Sequence, residues 1–214
     1  MLDFIFNQKH VNMKKLFLMT VVISGLFITS CNSGEKAADG NTTTSSDSLD
    51  SKKVAEDRND KKFEDSTIEN DSKFAVKAAD GGMMEVELSK LALTKSTSPE
   101  IKKYAKMMVD DHTSANNELK KLAGTKNISI PAAVSTNKQE KLTDFMKKTG
   151  NDFDKDYISY MVSDHKDVVD LFKKQAEKGK DAELKAWAAS KLSTLEHHLQ
   201  MAQSTEDLVK NKKK

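Results

Sequence analysis

The sequence predicts an all-helical protein, a four-helix bundle with one short extra helix between helices two and three. Three observations carry that reading. Apolar residues recur by threes and fours through the stretch after residue 72, no run alternates with period two, and the chain has only two prolines. A repeat adds to these: Tyr-x-x-x-Met-Val-x-Asp-His occurs as Tyr104, Met108, Val109, Asp111, His112 and again as Tyr157, Met161, Val162, Asp164, His165. Both copies lie in helical stretches, and both histidines fall on the apolar stripe.

The first helix spans about Ser72–Leu93, with Phe74, Ala78, Leu88 and Ala92 on one stripe that Glu85 interrupts. Gly81-Gly82 in its middle costs about 1 kcal/mol per glycine relative to alanine, which points to close approach by a neighbouring helix. The second helix has a clear start, with Ser98 as cap, Pro99 at the first position and Glu100 against the positive dipole end. Its seam runs Ile101, Ala105, Met108, His112, Ala115, Leu119, Leu122, and it breaks at Gly124. A shorter amphipathic stretch covers about Lys138–Lys148. The third long helix starts near a cap at Asn151 or Asp152 and ends at Lys178, with Ile158, Met161, His165, Val168 and Phe172 on its seam. Asp181 caps the fourth, whose inner side carries Leu184, Ala188, Leu195, His198 and Ala202. His197 lies one residue off that seam and is expected in solvent.

The N-terminal region reads as an address. Lys14 and Lys15 precede Leu16–Ile28, an uncharged and mostly apolar run shorter than the roughly 20 residues needed to span a bilayer. Ile28-Thr29-Ser30-Cys31 resembles a bacterial lipobox, in which the cysteine is acylated and becomes the new N-terminus. Residues 1–30 are thus expected to be a lipoprotein signal, with Met13 the natural initiator. Cys31 is the only cysteine in the chain, so neither a disulfide nor a thiolate metal site is available. By resemblance to lipoprotein sorting, Asn32 after the cysteine favours the outer membrane, with the domain facing the periplasm. Residues 31–71 are polar and charged, eleven acidic against six basic from Asn32 to Asp71, and are expected to form a disordered tether. Residues 72–214 make one domain. Without residues 1–30 the acidic and basic residues are equal in number, so nucleic acid is not an expected partner.

Height bookkeeping brings the histidines together. His165 lies about 15 residues before the turn at Gly179 and His198 about 18 after it, which at about 1.5 Å per residue leaves them roughly 5 Å apart in height. Glu85 is offset from His112 by about 7–8 Å on the same rise. Glu85, His112, His165 and His198 are therefore the candidate metal ligands, and imidazole suits copper, zinc or iron. Asp111 and Asp164 cannot face the histidines that follow them in sequence, but each can support a histidine on another helix. Met108, Met161 and Met201, one turn from a histidine, would favour copper. The alternative is a buried network of histidines and carboxylates that fixes register without metal. Either way, buried neutral imidazoles predict stability declining between about pH 7 and pH 5, whereas imidazoles held charged by Asp111 and Asp164 predict stability lost as pH rises. No nucleophile elbow or phosphate-binding glycine loop points to an enzyme.

Taken together, Gly82–Leu88, Met108–His112, Phe153–Tyr157 with Met161–His165, and Leu195–Leu199 resemble the bacterial family known as domain of unknown function 4142, labelled outer membrane protein and ferritin-like in fold. The resemblance covers about Phe74–Leu208. It implies a four-helix bundle in the cell envelope and supplies no activity. Di-iron members of the wider ferritin-like group carry Glu-x-x-His on two helices. Val109, Val162 and Leu195 stand three residues before the histidines here, so a di-iron centre of that kind is not expected.

Overall fold

The computed structural model describes residues 50–211; the signal reading of residues 1–30 and the lipidation reading of Cys31 lie outside them. Among the described residues there are six helices and no strand: α1 Ser51–Phe63, α2 Glu69–Lys95, α3 Pro99–Thr125, α4 Thr136–Lys147, α5 Gly150–Lys178 and α6 Ala182–Asn211. The four long ones form the bundle, and α4 is the short extra helix. Two of the caps are those the sequence marks. Ser98 Oγ accepts from the Ile101 amide, and Asp181 Oδ1 accepts from the Glu183 and Leu184 amides. None of these helices is long and apolar enough to cross a membrane.

Two corrections concern the N-terminal edge. Residues 51–63 are helical rather than a tether, although they carry almost no apolar stripe. Only Ala55 and Asn59 of α1 are buried. The helix docks through polar groups: Asn59 Nδ2 donates to the Ser129 carbonyl and Asn59 Oδ1 accepts from the Ser129 amide, both at 2.8 Å. Asp50 caps α1 and also accepts from the Thr136 amide at 2.8 Å. Hydrophobic periodicity does not register a helix held this way. Second, α2 starts at Glu69, which moves Asp71 from the expected tether into the core. Its buried carboxylate accepts from Gln175 Nε2 at 2.8 Å and from the Lys180 and Asp181 amides, locking the α5–α6 turn. α5 starts at Gly150, one or two residues before the expected cap, with φ at +53°, a conformation that suits glycine.

α2 and α3 pair through a short turn, as do α5 and α6, and the two hairpins join through α2 with α5 and α3 with α6. That leaves α3 and α5 across the diagonal. The long connection through α4 makes them parallel, so equivalent residues of the repeat meet at equal heights. Tyr104 and Tyr157 have ring centroids 6.2 Å apart, and His112 and His165 5.6 Å. The repeat thus marks two parallel diagonal helices presenting the same layers to one axis. An alanine Cβ at Gly82 would overlap the Asn116 side chain, so α2 and α3 owe their close approach to that glycine.

Below the histidine layer the core holds Met84, Leu88, Ile101, Tyr104, Met108, Phe153, Tyr157 and Met161, all buried. Above it, Phe74, Val169, Phe172, Ala188 and Leu195 form a second cluster. Each large side chain buried this way contributes roughly 2–3 kcal/mol. A polar layer therefore sits between two apolar plugs, held rigidly from both sides.

Candidate metal centre

Glu85, His112, His165 and His198 come from α2, α3, α5 and α6 respectively, one from each long helix. Glu85 and His198 are 1% exposed, His165 0% and His112 6%. One nitrogen from each histidine lies within 4.8 Å of the other two. Glu85 also reaches the layer: Oε2 stands 2.9 Å from His112 Nδ1 and Oε1 3.6 Å from His165 Nδ1. The height offset read from the sequence closes because helical side chains lean toward their own N-terminus. On α2 that lean carries Glu85 away from the α2–α3 turn, and on α3 it carries His112 toward it.

Each imidazole has one nitrogen backed by a group other than the histidines. His165 Nδ1–H donates to the Met161 carbonyl at 3.0 Å. His198 Nε2–H donates to Asp111 Oδ2 at 2.8 Å, a carboxylate that is itself half-exposed. His112 Nδ1 faces Glu85. Three nitrogens are left pointing into the layer. His112 Nε2 and His198 Nδ1 face each other at 3.2 Å, and buried His165 Nε2 has no partner at all. With Glu85 ionised and accepting from His112 Nδ1, the facing pair are both lone pairs, an arrangement that a proton or a metal ion between them relieves. With Glu85 protonated, a chain Glu85–His112–His198–Asp111 closes on its own, yet His165 Nε2 stays orphaned.

The two aspartates of the repeat have different fates. Asp111 supports His198 from the rim, on a neighbouring helix as its position requires. Asp164 turns inward beside Glu85 and His165, where Tyr160 O–H donates to its Oδ1 at 3.2 Å. Burial raises the Glu85 carboxyl above its ordinary value. Burial, then the neighbouring Glu85 charge, pushes Asp164 up to about 7. Burial pulls His112 down to about 4, and burial followed by repulsion from His112 does the same to His198; His165 is lowered by burial as well. The centre is therefore built from neutral imidazoles, the form that ligates metals.

Several neighbours of the centre carry no assignment in the sequence reading. Tyr104 and Tyr157 lie one layer below, Tyr157 sharing a 2.9 Å hydrogen bond with Ser89 and Tyr104 keeping a buried hydroxyl without a partner. Their place in the repeat was the available signal. Tyr160 had none. Met108 and Met161 pack within the lower apolar cluster, and His197 is exposed. A cleft of about 150 Å³ between α3 and α6 reaches His112 and His198 from outside, with Asp111, Glu118 and Lys191 on its walls.

The family model described as Domain of unknown function (DUF4142) matches residues 56–205. The chain belongs to this family. No curated protein matches it, and no solved structure does. The DUF4142 match begins inside α1 and runs through every residue of the centre, so the domain extends N-terminal of residue 72. The chemistry of the centre therefore rests on its own geometry.

Proposed function

We propose that this DUF4142 protein is a metal-binding module that holds a transition-metal ion through His112, His165 and His198 inside its helical bundle. The observation that carries the reading is the direction of the ring nitrogens. Each histidine is braced on one side, by Glu85, Asp111 or the Met161 carbonyl, and offers the other to a common space. Histidine ligands of metals are braced in this way, which fixes the tautomer and raises basicity. Three imidazoles with an open position suit zinc, with copper and iron as competitors. The cleft at His198 gives an ion a way in. A register-fixing network is the second reading, favoured by the closed chain from Glu85 to Asp111, but it leaves His165 Nε2 unsatisfied at a cost of about 1–3 kcal/mol.

Elemental analysis of untagged protein purified without chelator tests this. At least one zinc, copper or iron ion per chain is expected, absent from the His112→Ala/His165→Ala variant. Wild-type protein that stays metal-free after reconstitution would establish the network reading instead.

The proposal extends to placement. Cys31 after Ile28-Thr29-Ser30 would carry the lipid, anchoring the module to the envelope, with the outer membrane as the destination. Mass spectrometry of the mature N-terminus should find an acylated Cys31; a chain that starts past residue 31 without lipid would rule the anchor out.

A further inference from the structure

Beside the three histidines lies a second group, Glu85, Asp164 and His165, whose ligand atoms also fall within 4.8 Å of one another. We propose that Glu85 and Asp164, with His165 beside them, form a second, oxygen-rich cation position next to the three-histidine one, so that the centre takes two ions with His165 at their boundary. This rests on the three-histidine reading and adds to it.

The support is where unsatisfied atoms gather. Among the described residues five buried side-chain N and O atoms have no hydrogen-bond partner, and Glu85 Oε1, Asp164 Oδ2, Tyr104 Oη and His165 Nε2 are four of them. Buried polar atoms are nearly always paired, and such a concentration marks a missing ligand rather than scattered packing faults. Glu85 is divided in its duties. Its Oε2 braces His112 at 2.9 Å, while the orphan Oε1 belongs to the side shared with Asp164 and His165. Asp164 is held in place by the Tyr160 hydroxyl on Oδ1, which leaves Oδ2 free. The Glu85 and Asp164 carboxyls lie close enough to share a proton, and a cation seated between them would displace it. Lys138 on α4 pairs with Asp80 at 3.7 Å, and its charge acts on Glu85 and Asp164 without an ion pair to either. The donor set separates the two positions chemically. Nitrogen ligands select zinc or copper, whereas carboxylate oxygen suits a harder divalent ion such as manganese. The sequence repeat conceals this difference, because Asp111 and Asp164 are equivalent in the motif but only Asp164 enters the layer.

Asp164 belongs to the second group alone and His198 to the first alone, which makes the two positions separable. The untagged full-length protein is reconstituted with zinc and manganese together, and bound ions are counted by elemental analysis and native mass spectrometry. Two ions per chain are expected. Asp164→Asn should keep zinc and lose manganese, and His198→Gln should weaken zinc while keeping manganese. Tyr160→Phe, which leaves both groups intact, should weaken manganese several-fold without changing zinc, a check should Asp164→Asn fold poorly. One ion per chain, lost in His198→Gln but untouched in Asp164→Asn and Tyr160→Phe, overturns the second position and leaves the three-histidine reading standing. No ion of either kind in wild type overturns both.

Discussion

In the presence of a chelator, stability between pH 6.5 and pH 5 should be set by opposing groups in one layer. His112 and His198 fall from 6.5 to about 4 on folding. A base with a depressed folded value contributes fully above 6.5 and loses that contribution as pH falls toward 4, because the unfolded chain takes the proton first. Over pH 6.5 to 5 the loss is about 1.6 kcal/mol for each histidine, from about 1.4 kcal/mol per pH unit, or roughly 3 for both. Asp164 acts the other way. Its folded value rises from 3.8 to about 7, so it penalises the fold as pH climbs through that window and gives back about 2 kcal/mol on going down to pH 5. His165 is lowered and Glu85 raised, and these two oppose each other. The metal-free wild type should thus lose only about 1 kcal/mol between pH 6.5 and 5, a shallower decline than histidines alone would give. Asp164→Asn should steepen the loss to about 3 kcal/mol, and His198→Gln should flatten it to about zero. Urea denaturation in the presence of a chelator measures this at each pH. A common slope for all three proteins, or a steeper one in His198→Gln, would refute the layer as drawn.

Two further outcomes test how the bundle is held. Asp71→Ala strands the Lys180 and Asp181 amides and the Gln175 amide group in a buried turn, and should cost about 3 kcal/mol by urea midpoint; an effect below about 1 would mean that water replaces the carboxylate. Asn59→Ala removes both bonds to Ser129, so limited proteolysis should cut within α1 several-fold faster while thermal unfolding of the four long helices barely moves.

The match between sequence and structure differs by element for identifiable reasons. The start of α3 was legible to the residue, since Ser98, Pro99 and Glu100 act on their own first turn and need no partner. The His165–His198 layer was legible because a tight turn makes height a matter of counting, and the observed ring separation is 5.6 Å. Gly82 announced the close approach of another helix, though not that Asn116 would supply the contact. α1 was not legible, because its attachment is a set of hydrogen bonds to the backbone of residues 129–136, dozens of positions away. Tyr160 and the orphaned Glu85 Oε1 and Asp164 Oδ2 were also hidden.

By itself the sequence determined the four long helices, the caps at Ser98 and Asp181, the shared histidine layer and the lack of a Glu-x-x-His pair, all properties of local spacing. Tertiary structure alone decided which aspartate turns inward. Asp111 and Asp164 stand in identical motifs, but α3 lies beside α6 and so offers Asp111 to His198 at the rim, whereas α5 lies beside α2 and so turns Asp164 toward Glu85. A repeat fixes what each helix carries, and the neighbour it packs against fixes what that residue meets.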